Sequence, residues 1–267
     1  MIGLPLVIWV VNYGGLPLLL ACTALALVGL RELYIAFSQT DKAIHIVGYL
    51  FTIGYYVTVF FFGPGYWLLI SLTLFIITIQ TCLVIFFKRL PLQDCITTVY
   101  GFLYVPFLLS FIILVREHEL GTYYVWLIFT SSFGCDTFAY LTGRAFGRNK
   151  LKGSPSPSKS VEGLIGGTLG AALLGLLYGF FISRFIAADA DAVPLIIIHS
   201  TVISLIGAIF CIIGDMAASA IKRHTKIKDF GKLFPGHGGV IDRTDGMMIV
   251  APIVYMAMNI LIWIGSF

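Results

Sequence analysis

Long apolar runs separated by short polar connections dominate the chain. They predict helical spans at roughly 2–13, 16–36, 44–62, 66–87, 96–115, 122–143, 161–183, 195–221 and 244–265. Most of these runs hold about 20 residues with almost no charge, the length an α-helix needs to cross a hydrocarbon core. The first is too short to cross unaided, and Tyr13, Gly14 and Gly15 predict a broken or re-entrant hairpin between it and the second. The expected fold is therefore all-α: a polytopic integral membrane protein with about nine transmembrane helices and a polar cavity open to the cytoplasm. A single transmembrane domain over 1–267 is expected, with N-terminal helices over roughly 1–120 and the helices and loops that carry chemistry over 121–267. No soluble domain, long linker or repeat is read, and the apolar start lacks the basic residues of a cleaved signal peptide.

Composition agrees with this pattern, since 59% of the 267 residues are hydrophobic and 11% are charged. The net charge of +4 says less than its distribution. Assigning alternate connections to opposite sides leaves only Arg116 and Arg184 on one face and nearly all other Lys and Arg on the other, which the positive-inside rule makes cytoplasmic. The longest connections, 144–160 and 222–243, both fall there. Cys22, Cys82, Cys95, Cys135 and Cys211 mostly lie in apolar runs and read as small core residues without metal-ligand spacing. His45, His118 and His199 stand singly near span ends and are assigned no role.

Charge is concentrated between Gly214 and Asp245, which holds 10 of the chain's 30 Lys, Arg, Asp and Glu residues. Ionisable groups at membrane depth are costly and are tolerated where they meet a partner, a cation or water. Asp136 and Asp215 each lie roughly 10 to 12 Å inside the cytoplasmic end of a span, at about 1.5 Å per residue. Asp136, Tyr140 and Arg144 share one helical face, and Asp215, Ser219, Lys222 and Lys226 share another. Asp242 and Asp245 can point the same way at the start of the last span; they suit either an N-cap with an acidic first turn or a cation site.

Lys222, Arg223, Lys226, Lys228 and Lys232 fit juxtamembrane anchors or ligands for phosphate. Beside them, Gly236, Gly238 and Gly239 would let backbone N–H groups approach an anion, and His237 is either a ligand or a structural hydrogen-bonding residue. The segment Gly153–Ser160 nearly matches a P-loop but fails: Ser158 replaces a glycine, Pro155 and Pro157 remove N–H donors, and no strand precedes it. It reads as a cytoplasmic loop whose Ser156, Ser158, Lys159 and Ser160 can still meet phosphate.

The run Ser219, Ile221, Lys222, Arg223, Lys228, Asp229, Gly231, Phe234, Pro235, His237, Gly238, Gly239, Asp242, Arg243, Asp245 resembles the signature of phosphatidate cytidylyltransferases, with no departure in 27 residues. The stretch CDTFAYLTGRAFGRNKL followed by SPSKSVEG is also similar to that family, which typically carries a Pro-Lys-Lys or similar run where this chain has Pro157, Ser158 and Lys159. The resemblance implies transfer of CMP from CTP to phosphatidic acid, releasing pyrophosphate. It also implies Mg2+ on Asp215, Asp242 and Asp245, with Asp136 either completing that site or polarising a partner in it, and a second cation such as K+ left open. Lys222, Arg223, Lys226 and Arg243 are then expected on the triphosphate or lipid phosphate, with Ser219, Lys159, Arg144, His237, Gly238 and Gly239 lining the pocket. Membrane lipid is the expected surrounding, nucleic acid is not an expected partner, and a homodimer and a bacterial inner-membrane location follow from the same analogy. A CTP-dependent transferase for an ether-lipid or polyprenyl phosphate, and an ion-coupled transporter, are the competing readings.

Overall fold

The structure, a computed structural model, describes residues 3–38, 42–186, 192–233, 236 and 238–263. Among the described residues ten α-helices follow one another: α1 (Gly3–Tyr13), α2 (Gly15–Ala36), α3 (Lys42–Phe62), α4 (Tyr66–Ile85), α5 (Leu92–Phe102), α6 (Leu108–Arg116), α7 (Gly121–Phe146), α8 (Val161–Ile186), α9 (Ala192–His224) and α10 (Ile241–Trp263). A π-helical turn, Leu103–Phe107, joins α5 to α6. Each expected span has a helical counterpart. By length and composition, however, seven helices among the described residues are apolar enough to cross a membrane, with Leu92–Arg116 counting as one, so nine crossings are not reached by that measure. The exceptions are α1, with 11 residues, and α7, whose apolar run is diluted by Ser131, Ser132, Asp136, Thr137 and Thr142.

The chain forms two compact units, one of residues 1–118 with 225–244 and one of 119–224 with 245–267. In the first, α2 buries Leu18, Leu19, Cys22, Ala26, Gly29, Leu30 and Leu33, the stripe produced by a period of 3.6 residues. The break between α1 and α2 is built as the glycines foretell, with φ of 69° at Gly14 and 52° at Gly15. Arg116 Nε and Nη2 donate to the carbonyls of Val11 and Asn12 at 2.8 and 2.5 Å, satisfying the open end of α1. Pro106 has no N–H to give, and the widened turn around it leaves its carbonyl to accept from Tyr56 Oη at 3.0 Å. By contrast α4 buries only Phe75 and Ile79, while Leu69, Val84 and Ile85 are exposed. An apolar surface of that extent belongs against lipid.

In the second unit α7, α8 and α9 pack through small residues. A Cβ at Gly167 of α8 would come within 2.8 Å of the Cys135 carbonyl and of Ala139 on α7, so only glycine allows that approach. The same holds where α9 meets α10, since a side chain at Gly214 would reach 2.5 Å from the Asp245 carbonyl. Close backbone contact brings the polar positions of these helices together at one end of the unit. The 225–244 loop, although late in the sequence, groups with the first unit.

Candidate active site

Polar side chains of α7, the 147–160 connection and α9 line a cavity of about 420 Å³ in the second unit. Asp136, Tyr140 and Arg144 descend one face of α7 into it, and Lys150, Ser158, Lys159 and Asp215 close it from the other elements. The volume is within the range of small-ligand sites. Lys159 Nζ pairs with Asp215 Oδ2, although 56 positions separate them. Both side chains keep partial solvent access, 25% and 23%, so a ligand can reach either.

Local structure explains how the loop presents Lys159. Ser160 Oγ accepts from Gly163 N at 3.2 Å and caps α8, and Glu162 accepts from the backbone N and side-chain Nδ2 of Asn149. Lys150 and Ser160 form an isolated antiparallel bridge, and Lys150 Nζ donates to the Ser158 carbonyl at 3.1 Å. Arg223 Nε, from the end of α9, donates to the Pro155 carbonyl at 3.3 Å. The loop is thus tied down at both ends and its middle, and Ser160 acts on backbone as a helix cap.

Asp245 lies half-buried on α10 at the point where Gly214 approaches, and its carboxylate feels the charges of Asp136, Lys222 and Lys159. Cys211 Sγ stands 4.0 Å from Asp136 Oδ1 beneath this group. Three helices, α7, α9 and α10, therefore bring Asp136, Asp215 and Asp245 to one end of the unit, with Lys159 and Lys222 among them. Among the described residues no group of three or more His, Cys, Asp or Glu side chains is drawn tightly enough to hold a metal by itself.

Asp242 belongs to the first unit, where its Oδ2 accepts from Phe230 N at 2.8 Å and Gly239 N at 3.0 Å. Gly238, with φ 81°, turns the chain sharply there, and Gly236 has φ 74°. Gly239 is buried, Arg243 is exposed on the first turn of α10, and His237 lies outside the described residues. Ser219 is half-buried on α9 and does not line the cavity. One expectation is corrected outright: α9 ends at His224, so Lys226 is not the last position of the Asp215 helical face. It takes a left-handed φ of 57° in the connection that follows, and the polar stripe stops at Lys222.

Sequence reasoning missed two residues. Lys150 lines the cavity, yet in the sequence it is one of several loop cations. Glu32, a carboxylate inside the second apolar span, is 5% exposed and accepts from Val240 N and Ile241 N. Its signal was available: an acidic residue within an apolar run calls for a partner.

A model of the cytidylyltransferase family matches residues 1–261. The chain belongs to that family. It is 38% identical over 159 residues to the phosphatidate cytidylyltransferase of Thermotoga maritima, a match covering 60% of this chain and 57% of that relative. With the phosphatidate cytidylyltransferase of Staphylococcus saprophyticus it shares 30% identity over 245 residues, 90% of this chain and 89% of the relative. The Haemophilus influenzae protein of the same name is 33% identical over 153 residues, covering 55% of this chain and 51% of the relative. Against the Thermotoga and Haemophilus proteins the matched stretch is thus little more than half their length. Family membership makes the chain a nucleotidyl-transferring enzyme, and its long apolar helices make it an integral membrane protein.

Proposed function

We propose that this cytidylyltransferase acts on a lipid phosphate, transferring CMP from CTP to phosphatidic acid to give CDP-diacylglycerol and pyrophosphate for phospholipid synthesis. The observation that carries this reading is the joining of carboxylates and lysines from separate elements around one cavity in a membrane-spanning unit, in a chain whose relatives bear that name. A phosphate oxygen of the lipid attacks the α-phosphorus of CTP, a new P–O bond forms, and the bond to the β-phosphate oxygen breaks. Both reactants are anionic, so the protein's task is to hold them in line and offset charge.

Arg144, Lys150 and Lys159, which line the cavity, would bind phosphate oxygens, and Lys222 and Arg223 in the last turn of α9 would add to the basic charge. Asp136, Asp215 and Asp245 would hold Mg2+, which supplies charge neutralisation at the transferring phosphate. From the family resemblance Asp242 is read as a cation ligand as well, and a second cation such as K+ is part of this reading. Ser219, Lys226, His237, Gly238, Gly239 and Arg243 are read as substrate-binding residues from the family resemblance alone. The enzyme sits in a bacterial inner membrane with this cavity facing the cytoplasm, where CTP is available, and a homodimer is the assembly read from the family analogy.

Purified protein incubated with labelled CTP, phosphatidate and Mg2+ tests the substrate assignment. A CDP-lipid is expected, formed faster from phosphatidate than from ether-lipid or polyprenyl phosphates, and lost on chelation with EDTA. Preference for either competitor would move the enzyme to another lipid, and undiminished turnover in EDTA would remove the cation from the reaction.

A further inference from the structure

Glu32 occupies α2 in the first unit, far in sequence from every residue assigned to chemistry. An unpaired carboxylate buried in an apolar helix bundle is strongly unfavourable, and such groups persist where hydrogen bonds or opposite charge compensate them. Here compensation comes from backbone. Oε1 accepts from Val240 N at 3.0 Å and Oε2 from Ile241 N at 3.1 Å, across 208 and 209 positions. These amides open α10, where N–H groups have no partner within the helix and the helix dipole favours negative charge.

Capping of a helix start is ordinarily local, by a Ser, Thr, Asp or Asn at the position before the first turn. In α10 that position is Val240, which has no side-chain acceptor, so the distant carboxylate does the work. Gly231 and Gly239 pack directly on Glu32, and a methyl group on either would overlap its carboxylate. On the other side of the same turn, Asp242 Oδ2 takes the amides of Phe230 and Gly239. Two carboxylates thus bind four amides and clamp both ends of the glycine loop to the start of α10.

We infer that Glu32 is a positioning residue for nucleotidyl transfer: it holds Gly231, Gly239, Val240 and the first turn of α10, and through them the direction in which Asp242 and Arg243 are presented. This inference rests on the nucleotidyl-transfer reading above. Glu32→Gln keeps the side-chain size but replaces one acceptor by an N–H donor facing a backbone N–H. An orphaned buried amide of this kind loosens the turn by tenfold or more in its opening equilibrium.

Hydrogen exchange and kinetics on the full-length protein in lipid nanodiscs test it together. E32Q is expected to exchange the amides of residues 239–241 at least tenfold faster, with protection of α2 and α9 and the thermal midpoint little changed, and to lower kcat at least tenfold while KM for phosphatidate stays within about threefold. Glu32→Asp, one methylene shorter, retains one of the two bonds and should fall between wild type and E32Q in both readouts; it carries the test if E32Q does not accumulate. Unchanged exchange at 239–241 would overturn the anchoring role, and faster exchange with unchanged kcat would reduce Glu32 to a structural cap. Wild-type protein that forms no CDP-lipid would remove the underlying reading, whereas the exchange result decides independently whether Glu32 holds the loop.

Discussion

Asp245→Asn should lower kcat for CDP-lipid formation by about 10³-fold while the protein inserts and folds as before. Removing a single well-placed group that stabilises transition-state charge costs about 10²–10³ in rate, and a cation ligand lies at or beyond the upper end of that range. The side chain keeps its size, so the glycine-mediated approach of α9 to α10 at Gly214 is retained. The lost charge sits among Asp136, Lys159 and Lys222, so its removal leaves the cluster more positive and weakens its hold on Mg2+. Activity titrated against Mg2+ should therefore show a higher half-saturating concentration as well as a lower plateau. Near-normal turnover at ordinary Mg2+ would take Asp245 out of the mechanism.

The second large effect concerns Lys159. Lys159→Ala is expected to reduce kcat/KM for CTP by about 10²-fold, the loss that accompanies removal of one charged donor from a polar site. Its ammonium lies on Asp215 in a cavity that also contains Arg144 and Lys150, so it is positioned to exchange a carboxylate for a phosphate. Lys159→Arg should recover only part of the loss, because a planar guanidinium replaces a compact ammonium. Stability should change little, since partly exposed ion pairs contribute about 0–1 kcal/mol. An unchanged dependence on CTP concentration in the alanine variant would exclude Lys159 from triphosphate binding.

How far the sequence revealed this site depends on whether a feature is local. Asp136, Tyr140 and Arg144 are spaced four apart, and the helical period alone places them on one face; all three line the cavity. The helices themselves were legible for the same reason, because apolar runs of a fixed length have few alternatives in a bilayer. Lys226 failed because the period was continued past the point where the helix stops, and nothing in the residue type announces a left-handed φ in a lysine. Pairings such as Lys159 with Asp215, or Glu32 with the start of α10, are tertiary and have no sequence period to betray them. The π turn at Pro106 was likewise invisible, since proline in a membrane helix permits several backbone solutions.

The two acidic residues at the start of α10 meet different surroundings. Asp242 does hold backbone amides at a helix start, as an acidic first turn should. Asp245, one turn further along, instead faces the charges of the second unit. A spacing of three residues is compatible with either outcome, and only the packing partners on each side distinguish them.

The central claim is that this chain moves the nucleotidyl group, and the fate of the CTP phosphates tests it most directly. Incubation with phosphatidate and Mg2+ should carry label from the α-phosphate of CTP into the lipid and label from the γ-phosphate into pyrophosphate, with both transfers suppressed together in Asp245→Asn. Label from the γ-phosphate appearing in the lipid, or equal transfer by the variant, would contradict the account.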